Sequence, residues 1–312
     1  MANMPWRNQT PAARTPAART PAARTPSGAP AAAPPLPGNR PVLSTQEFQE
    51  IRKFIYAQAG IDLHTGKEDL VSARLGKILA ARGLKSYQEY LRQVRTDASG
   101  AMLAAMIDAL TTNYTGFLRE PVHFEFLRRT VLPAVERRPR IDIWSAACST
   151  GEEPYSIACV TLEALGAKAG SQVRILASDI STRALGFARE ALYPAERTGG
   201  VPPDWQRKYL AREGEGREAG WRIRPEVRRM VEFQRLNLME PLAAGRRCPV
   251  IFLRNVMIYF DRATQEALVK RLMEQLEPGG YLLIGHSESL TGMNLGLEYV
   301  APATYKKPGM LA

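Results

Sequence analysis

Residues 144–156 read WSAACSTGEEPYS. The apolar run IDIW (141–144) leads into them, and IACVTLEAL (157–165) follows. A strand, a loop of small residues and a helix form the usual cradle for a nucleotide in α/β proteins. This loop has one glycine, Gly151, where a dinucleotide fingerprint has three, and it places Glu152 and Glu153 where a pyrophosphate needs bare amides. Two carboxylates there repel a polyphosphate.

Working outward, the same rhythm recurs. IDIWSA, VRILASD, CPVIFLRN and GGYLLIGH are short, apolar and largely unalternating, as strands buried on both faces are. EPYSIACVTLEALG, STRALGFAREAL and RATQEALVKRLMEQL are the helices between them. The alternation predicts a doubly wound α/β domain over residues 116–312. Between Leu192 and Asn237 it breaks: RKYLARE, WRIRPEV and MVEFQRLN read as three short polar strands, an antiparallel insert at about 195–235.

Ahead of this domain, residues 42–115 are helical in pattern. Ser44 and Glu47 make a capping box, and Phe48, Ile51, Phe54 and Ile55 repeat at helical spacing. A second helix, about Lys67 to Arg82, has Leu70, Val71, Leu75, Ile78 and Leu79 on one side. At about 100° per residue, Lys67, Arg74 and Lys77 fall together on the other. They form either a solvated face or a docking surface for an acidic helix; spacing alone does not decide. Residues 1–41 contain TPAAR three times in tandem and a run rich in proline and alanine. That composition builds no core and predicts a disordered tail.

The formal charge is +11, of which the five arginines of the acid-free tail supply +5. The rest is spread over a folded part of ordinary charge density, which suits an acidic protein partner and does not call for nucleic acid. No apolar run is long enough to span a membrane, and the N-terminus lacks a signal-peptide core, so a cytoplasmic location is expected. Cys148, Cys159 and Cys248 show no CxxC spacing, and reduced buried thiols are the default. There is no GxxxxGK[ST], no HExxH and no Ser-His-Asp arrangement; with His64, His123 and His286 the only histidines, no metal site is assigned.

Ligands of open α/β sheets bind beyond the carboxyl ends of the strands. There the chain offers the opening loop, Asp179, Asn237 with Leu238, and Arg254 with Asn255. Asp179 sits where an acid grips ribose hydroxyls; otherwise it serves as the cap of the next helix, a role that Ser181 could equally fill. A loop glutamate suits an ammonium group, or else stabilises the positive helix end. S-adenosylmethionine has a ribose, an ammonium group, a sulfonium and no phosphate, and fits this lining.

These residues carry a family resemblance. TTNYTGFLRE (111–120), WSAACSTGEEPYSIA (144–158), ASDIS (177–181), NL (237–238), FLRNVMIYFD (252–261) and GHSESL (285–290) resemble, in order, the bacterial chemotaxis receptor methyltransferases of the CheR type. The resemblance implies a small all-α domain followed by a doubly wound, Rossmann-like S-adenosylmethionine-dependent methyltransferase domain with an antiparallel β insert. It implies methyl esterification of glutamates on the cytoplasmic helical domain of chemoreceptors. It assigns cofactor contacts to Asn113, Thr115, Arg119, Glu153, Asp179, Asn237, Leu238, Arg254 and Asn255, and puts Arg119 and Tyr259 beside the transferred methyl. It favours docking for Lys67, Arg74 and Lys77, and a receptor C-terminal peptide at the insert. Of the loop glutamates it gives Glu153 to the ligand. Tyr114 and Leu118 depart from the glutamate and phenylalanine common in the family, and Cys148 replaces a smaller residue. His286, Glu288 and His123 are read as structural. The alternative function is a module that binds S-adenosylmethionine or its product without transferring a methyl.

Overall fold

The computed structural model describes residues 41–111, 114–216, 219–242 and 247–311. The repeat-bearing tail lies outside them, apart from its last residue, Pro41. The chain then opens with four helices: α1 (Thr45–Ala59), α2 (Glu68–Arg82), α3 (Tyr87–Thr96) and α4 (Ala101–Leu110). The capping box forms as read: the Ser44 hydroxyl accepts from the Glu47 amide at 3.2 Å, and Glu47 accepts from the Ser44 amide at 3.0 Å. Phe48, Ile51 and Ile55 of α1 meet Val71, Leu75 and Leu79 of α2 in one core with Tyr87, Tyr90 and Ile107. Arg74 does not stand in the solvated row. Its guanidinium donates to the carbonyls of Ala109, Leu110 and Thr111 at 3.2, 3.0 and 3.0 Å. A helix C-terminus leaves carbonyls unpaired and partly negative, and Arg74 satisfies them for α4.

A helical stretch, α5 (Pro121–Phe126), runs through a π turn (Leu127–Val131) into α6 (Leu132–Val135). It leads to strand β1 (Ile141–Ser145), helix α7 (Glu152–Leu165), a short α8 (Ala169–Gln172), β2 (Val173–Asp179) and α9 (Thr182–Glu190). Then come β3 (Leu192–Pro194), α10 (Pro203–Tyr209), β4 (Leu210–Glu213), β5 (Gly220–Ile223), α11 (Pro225–Arg228) and β6 (Val231–Arg235). The chain finishes with β7 (Cys248–Leu253), α12 (Arg262–Gln275), β8 (Leu276–Ile284), β9 (Glu298–Ala301) and β10 (Thr304–Lys306).

The main sheet has the order β6-β2-β1-β7-β8-β10-β9. Its first five strands are parallel, and β10 and β9 close it antiparallel. Every residue of β7 is buried. Val250 and Phe252 enter the core shared with α7, while Ile251 and Leu253 enter the one shared with α12. Both faces are covered, which is why the strands read as continuous apolar runs.

The insert differs from its sequence reading. The small sheet is β3-β5-β4, and it starts at Leu192. Lys208 and Tyr209 of RKYLARE finish α10. MVEFQRLN supplies β6, which pairs parallel to β2 from Ile175↔Val231 to Asp179↔Arg235 and so belongs to the main sheet. An edge strand has one hydrogen-bonded neighbour and exposed positions, so it carries polar residues and resembles a strand of a small sheet.

The helical unit and the α/β body meet at the end of α1. Tyr56 Oη donates to Asp261 Oδ2 at 2.8 Å, the Gln58 carbonyl accepts from Asn237 Nδ2 at 2.8 Å, and the Asp62 amide donates to the Tyr259 carbonyl at 2.8 Å. Gly60 (φ 70°) lies so close that a Cβ would come within 2.5 Å of Met239 Sδ.

Arg74→Met should destabilise the protein by about 1–3 kcal/mol, since a part-buried set of carbonyls loses its charged donor. Urea denaturation reads this directly; an unchanged midpoint would show that the three hydrogen bonds contribute nothing.

Candidate active site

The chain runs from β1 outward to β2 and β6, then returns to β7 on the other side of β1. The carboxyl ends of β1, β2 and β7 therefore flank a topological switch point, where open α/β sheets bind ligands. A cleft opens there. Its lining includes Thr115, Arg119, Glu153, Asp179, Asn237, Leu238, Arg254, Asn255 and Tyr259. Asn113 lies outside the described residues.

The loop after β1 is held from both sides. The Ala146 amide donates to the Phe252 carbonyl at 2.8 Å and the Cys148 amide to the Ser178 carbonyl at 2.9 Å. Ser149 takes a left-handed φ of 49° and Gly151 one of 95°. A Cβ on Gly151 would come within 2.8 Å of both Ala188 Cβ and Tyr193 Oη. The lone glycine thus serves close packing of the loop on α9 and the insert.

Adjacent positions on a helix point about 100° apart, and this separates the two glutamates. Glu153 faces the cleft: Oε1 accepts from Ser145 Oγ at 2.7 Å and Oε2 from Arg254 Nη1 at 2.8 Å. Glu152 turns away, fully buried, to Thr150 and Arg197. Burial pushes its carboxyl above the usual range, opposed by Arg197 and Thr150.

At the end of β2, Asp179 and Ser181 take different hydrogen-bond partners. Ser181 caps α9, accepting from the Ala184 amide at 2.9 Å. Asp179 faces the cleft, with Oδ1 accepting the Ser181 amide at 2.9 Å and Oδ2 the Ser149 amide at 2.8 Å. Each oxygen keeps a lone pair for a hydroxyl donor. Burial raises this carboxyl, and the two amides moderate the rise.

At the end of β7, Arg254 is 5% exposed and bridges two acids. Besides Glu153 it donates to Glu120 Oε2 at 3.1 Å and to the Arg119 carbonyl. Burial raises the Glu120 carboxyl, but Arg254, Asn255 and the His286 amide bring it below the usual range. Asn255 is left-handed (φ 57°), and Glu288 fixes that turn by accepting amides of Gly285, Asn255 and Met257 at 2.6, 3.0 and 2.7 Å. His123 is fully buried and its ring lies 5.0 Å from that of His286. Potential ligand atoms of Glu120, His123 and His286 lie within 4.8 Å of one another. The Arg254 guanidinium already engages that carboxylate.

Arg119 lines the cleft with its Nη1 donating to the Tyr114 carbonyl at 2.8 Å and its guanidinium 5.4 Å from the centre of the exposed Tyr114 ring. The Asn237 side chain is engaged by protein: Nδ2 donates to Gln58, and Oδ1 accepts from the Met239 amide at 3.0 Å. Lys67, just ahead of α2, and Lys77 on it are exposed, whereas Arg74 is partly buried. Sequence reasoning missed Ala59, Ile61 and Thr111, which the helical unit adds to the cleft wall. Small and aliphatic residues at a helix end carry no signal of their own.

Two family models match the chain: the CheR methyltransferase all-alpha domain over residues 46–111, and the CheR methyltransferase SAM binding domain over 113–305. A chemotaxis protein methyltransferase of Borreliella burgdorferi is 38% identical over 273 residues, covering 85% of this chain and 95% of the relative. Chemotaxis protein methyltransferase 2 of Pseudomonas aeruginosa is 40% identical, covering 88% and 99%. A chemotaxis protein methyltransferase of Klebsiella aerogenes is 42% identical, covering 80% and 85%.

Burial lowers the His123 imidazole to about 3, with Arg254 acting the same way. Its folded value thus lies below the unfolded value of about 6.5, and protonation favours unfolding. Stability should fall as pH drops below about 6.5, by about 2 kcal/mol at pH 5 from this residue. In chemical denaturation, His123→Gln should lose about that much less than the parent between pH 7.5 and pH 5. Equal losses would assign the acid sensitivity elsewhere.

Proposed function

This chain belongs to the CheR methyltransferase family, and we propose that it esterifies glutamate side chains of chemoreceptors with the methyl group of S-adenosylmethionine. The observation that carries the reading is the cleft at the switch point. It sets two carboxylates, Asp179 and Glu153, among the apolar side chains of Ile61, Ile180, Leu236, Leu238 and Phe260. Arg254, which would otherwise invite phosphate, is paired with Glu153 and Glu120.

When bound, S-adenosylmethionine supplies a methyl on a cationic sulfonium, open to in-line attack by a carboxylate oxygen with departure of the neutral thioether. Asp179 receives the ribose hydroxyls and Glu153 the ammonium group. Thr115, Asn255 and the Asn237–Leu238 main chain complete the contacts; the Asn237 side chain is taken. A receptor glutamate with an ordinary pKa of about 4.3 is ionised at neutral pH. The chain therefore needs no general base, and its task is positioning and water exclusion. Arg119 orients the incoming carboxylate, and Tyr259 donates a hydrogen bond beside the path of the methyl or walls it, the first of which Tyr259→Phe removes. Lys67 and Lys77 meet the acidic receptor helices, while Arg74 acts on α4. The outer strands of the small sheet, β3 and β4, receive a receptor C-terminal peptide as an added strand. No described helix is long and apolar enough to cross a membrane, and we place the enzyme beside the cytoplasmic receptor domain.

Labelled methyl should pass from S-adenosylmethionine to a receptor cytoplasmic fragment as base-labile ester on glutamates. Cofactor binding without transfer would indicate a sensor module instead. Asp179→Ala should raise the cofactor Kd about 10-fold or more, the worth of a hydrogen bond to a charged group. Tyr259→Phe should slow transfer with little change in Kd. An unchanged Kd for Asp179→Ala in titration calorimetry would place the ribose elsewhere. Reversing charge at Lys67 and Lys77 together should raise KM for the receptor fragment and flatten its dependence on salt, leaving the cofactor Kd unchanged.

A further inference from the structure

We propose that Arg197, in the β insert, is a positioning residue for methyl transfer: through Thr150 and Glu152 it sets the loop that receives the cofactor. The inference rests on the reading that the cleft binds S-adenosylmethionine. Arg197 closes the turn after β3, in a 3₁₀ segment (Ala195–Arg197). Its Nη2 donates to Thr150 Oγ1 at 2.6 Å and also engages the Glu152 carboxylate. Thr150 Oγ1 in turn donates to Glu152 Oε2 at 2.8 Å. The guanidinium is fixed from its sides by Phe187 and Tyr193, with ring centres 4.9 and 5.8 Å away. A second insert residue holds the same loop by its main chain: Tyr193 Oη donates to the Thr150 carbonyl at 2.7 Å.

Thr150 and Glu152 lie between the residues that face the cleft, Ser149 and Glu153. The outer side of the loop is thus attached to the insert, and its inner side is presented to the ligand. Gly151 between them is packed closely enough that a Cβ there would come within 2.8 Å of Ala188 Cβ and Tyr193 Oη. Glu152 is fully buried, so removing its cation leaves an uncompensated charge that can be relieved only by proton uptake or by movement of the loop. Movement displaces Ser149, whose amide fixes Asp179, and Glu153. A ligand that shifts Arg197 would change cofactor affinity, and by linkage the cofactor would change affinity for that ligand equally.

Titration calorimetry with S-adenosylhomocysteine on the full chain tests this. Arg197→Met should raise Kd at least fivefold with an unchanged far-UV dichroism spectrum. At saturating cofactor its kcat on a receptor fragment should stay within threefold, so that the loss appears in KM for the cofactor. Adding Glu152→Gln should recover at least half of the lost binding free energy, because the stranded charge is gone. A smaller rise in Kd, a loss confined to kcat, or additive losses in the double variant would each overturn the proposal. Should Arg197→Met not fold, Arg197→Lys, which keeps the charge but not the fork, should raise Kd at least threefold, and a smaller change overturns it. A parent that binds no S-adenosylhomocysteine would instead remove the reading of the cleft. The coupling of Arg197 to Glu152 would then still be read from a double-mutant cycle on thermal stability.

Discussion

The cleft depends on one buried cation. Arg254 leaves the end of β7, and its guanidinium joins Glu153 of α7, Glu120 before α5 and the Arg119 carbonyl. A guanidinium 5% exposed must have its charge and donors met, and losing one partner of such a pair costs several kcal/mol. The interaction therefore fixes three segments at once: the first loop, the end of the fourth parallel strand and the segment carrying Arg119. The backbone bears the mark of it. Leu118, Glu120, Ser149 and Asn255 all take left-handed φ without being glycine. Such residues persist where the surroundings over-determine them, and that is characteristic of sites.

The two adjacent glutamates show how one helix turn separates two tasks. Each has its own arginine from a different part of the chain, Arg254 from the sheet and Arg197 from the insert. Glu153 becomes part of the cleft wall, and Glu152 becomes the buried end of a link to the insert. Both also lie in the first turn of α7, where the helix dipole favours negative charge. The dipole acts on both alike, so it cannot distinguish them; the arginines do.

Much of this was legible because its causes are local. The parallel strands show as short apolar runs, the caps at Ser44 and Ser181 as hydroxyls ahead of helices, and the cleft acids as polar residues where apolar strands end. The chain's similarity to a known family sharpened the choice between the glutamates. What was not legible depends on contacts far apart in sequence. β6 looked like part of the insert because an edge strand carries polar residues. Arg74 looked like a member of a charged row, and only the position of α4 reveals its three carbonyls. Arg197 sits among ordinary surface residues in sequence, and Ala59 and Ile61 are generic apolar residues that matter because α1 ends at the cleft.

That last placement bears on how a carboxylate acceptor would be used. An ionised glutamate needs no proton removed, so the rate gain must come from holding two reactants in line, where up to roughly 7–11 kcal/mol is available to well-aligned groups. Alignment of that quality requires the surface that docks the acceptor to be rigidly related to the cleft. The helical unit meets the requirement directly. α2 packs on α1 through the shared core, and α1 ends in contacts from Tyr56 to Asp261, Gln58 to Asn237 and Asp62 to Tyr259. A protein helix held against Lys67 and Lys77 would thus be registered against Tyr259 and the cleft wall through packed side chains and hydrogen bonds. In this architecture the small all-α domain is a wall of the cleft, and the docking face proposed for it is packed against that wall.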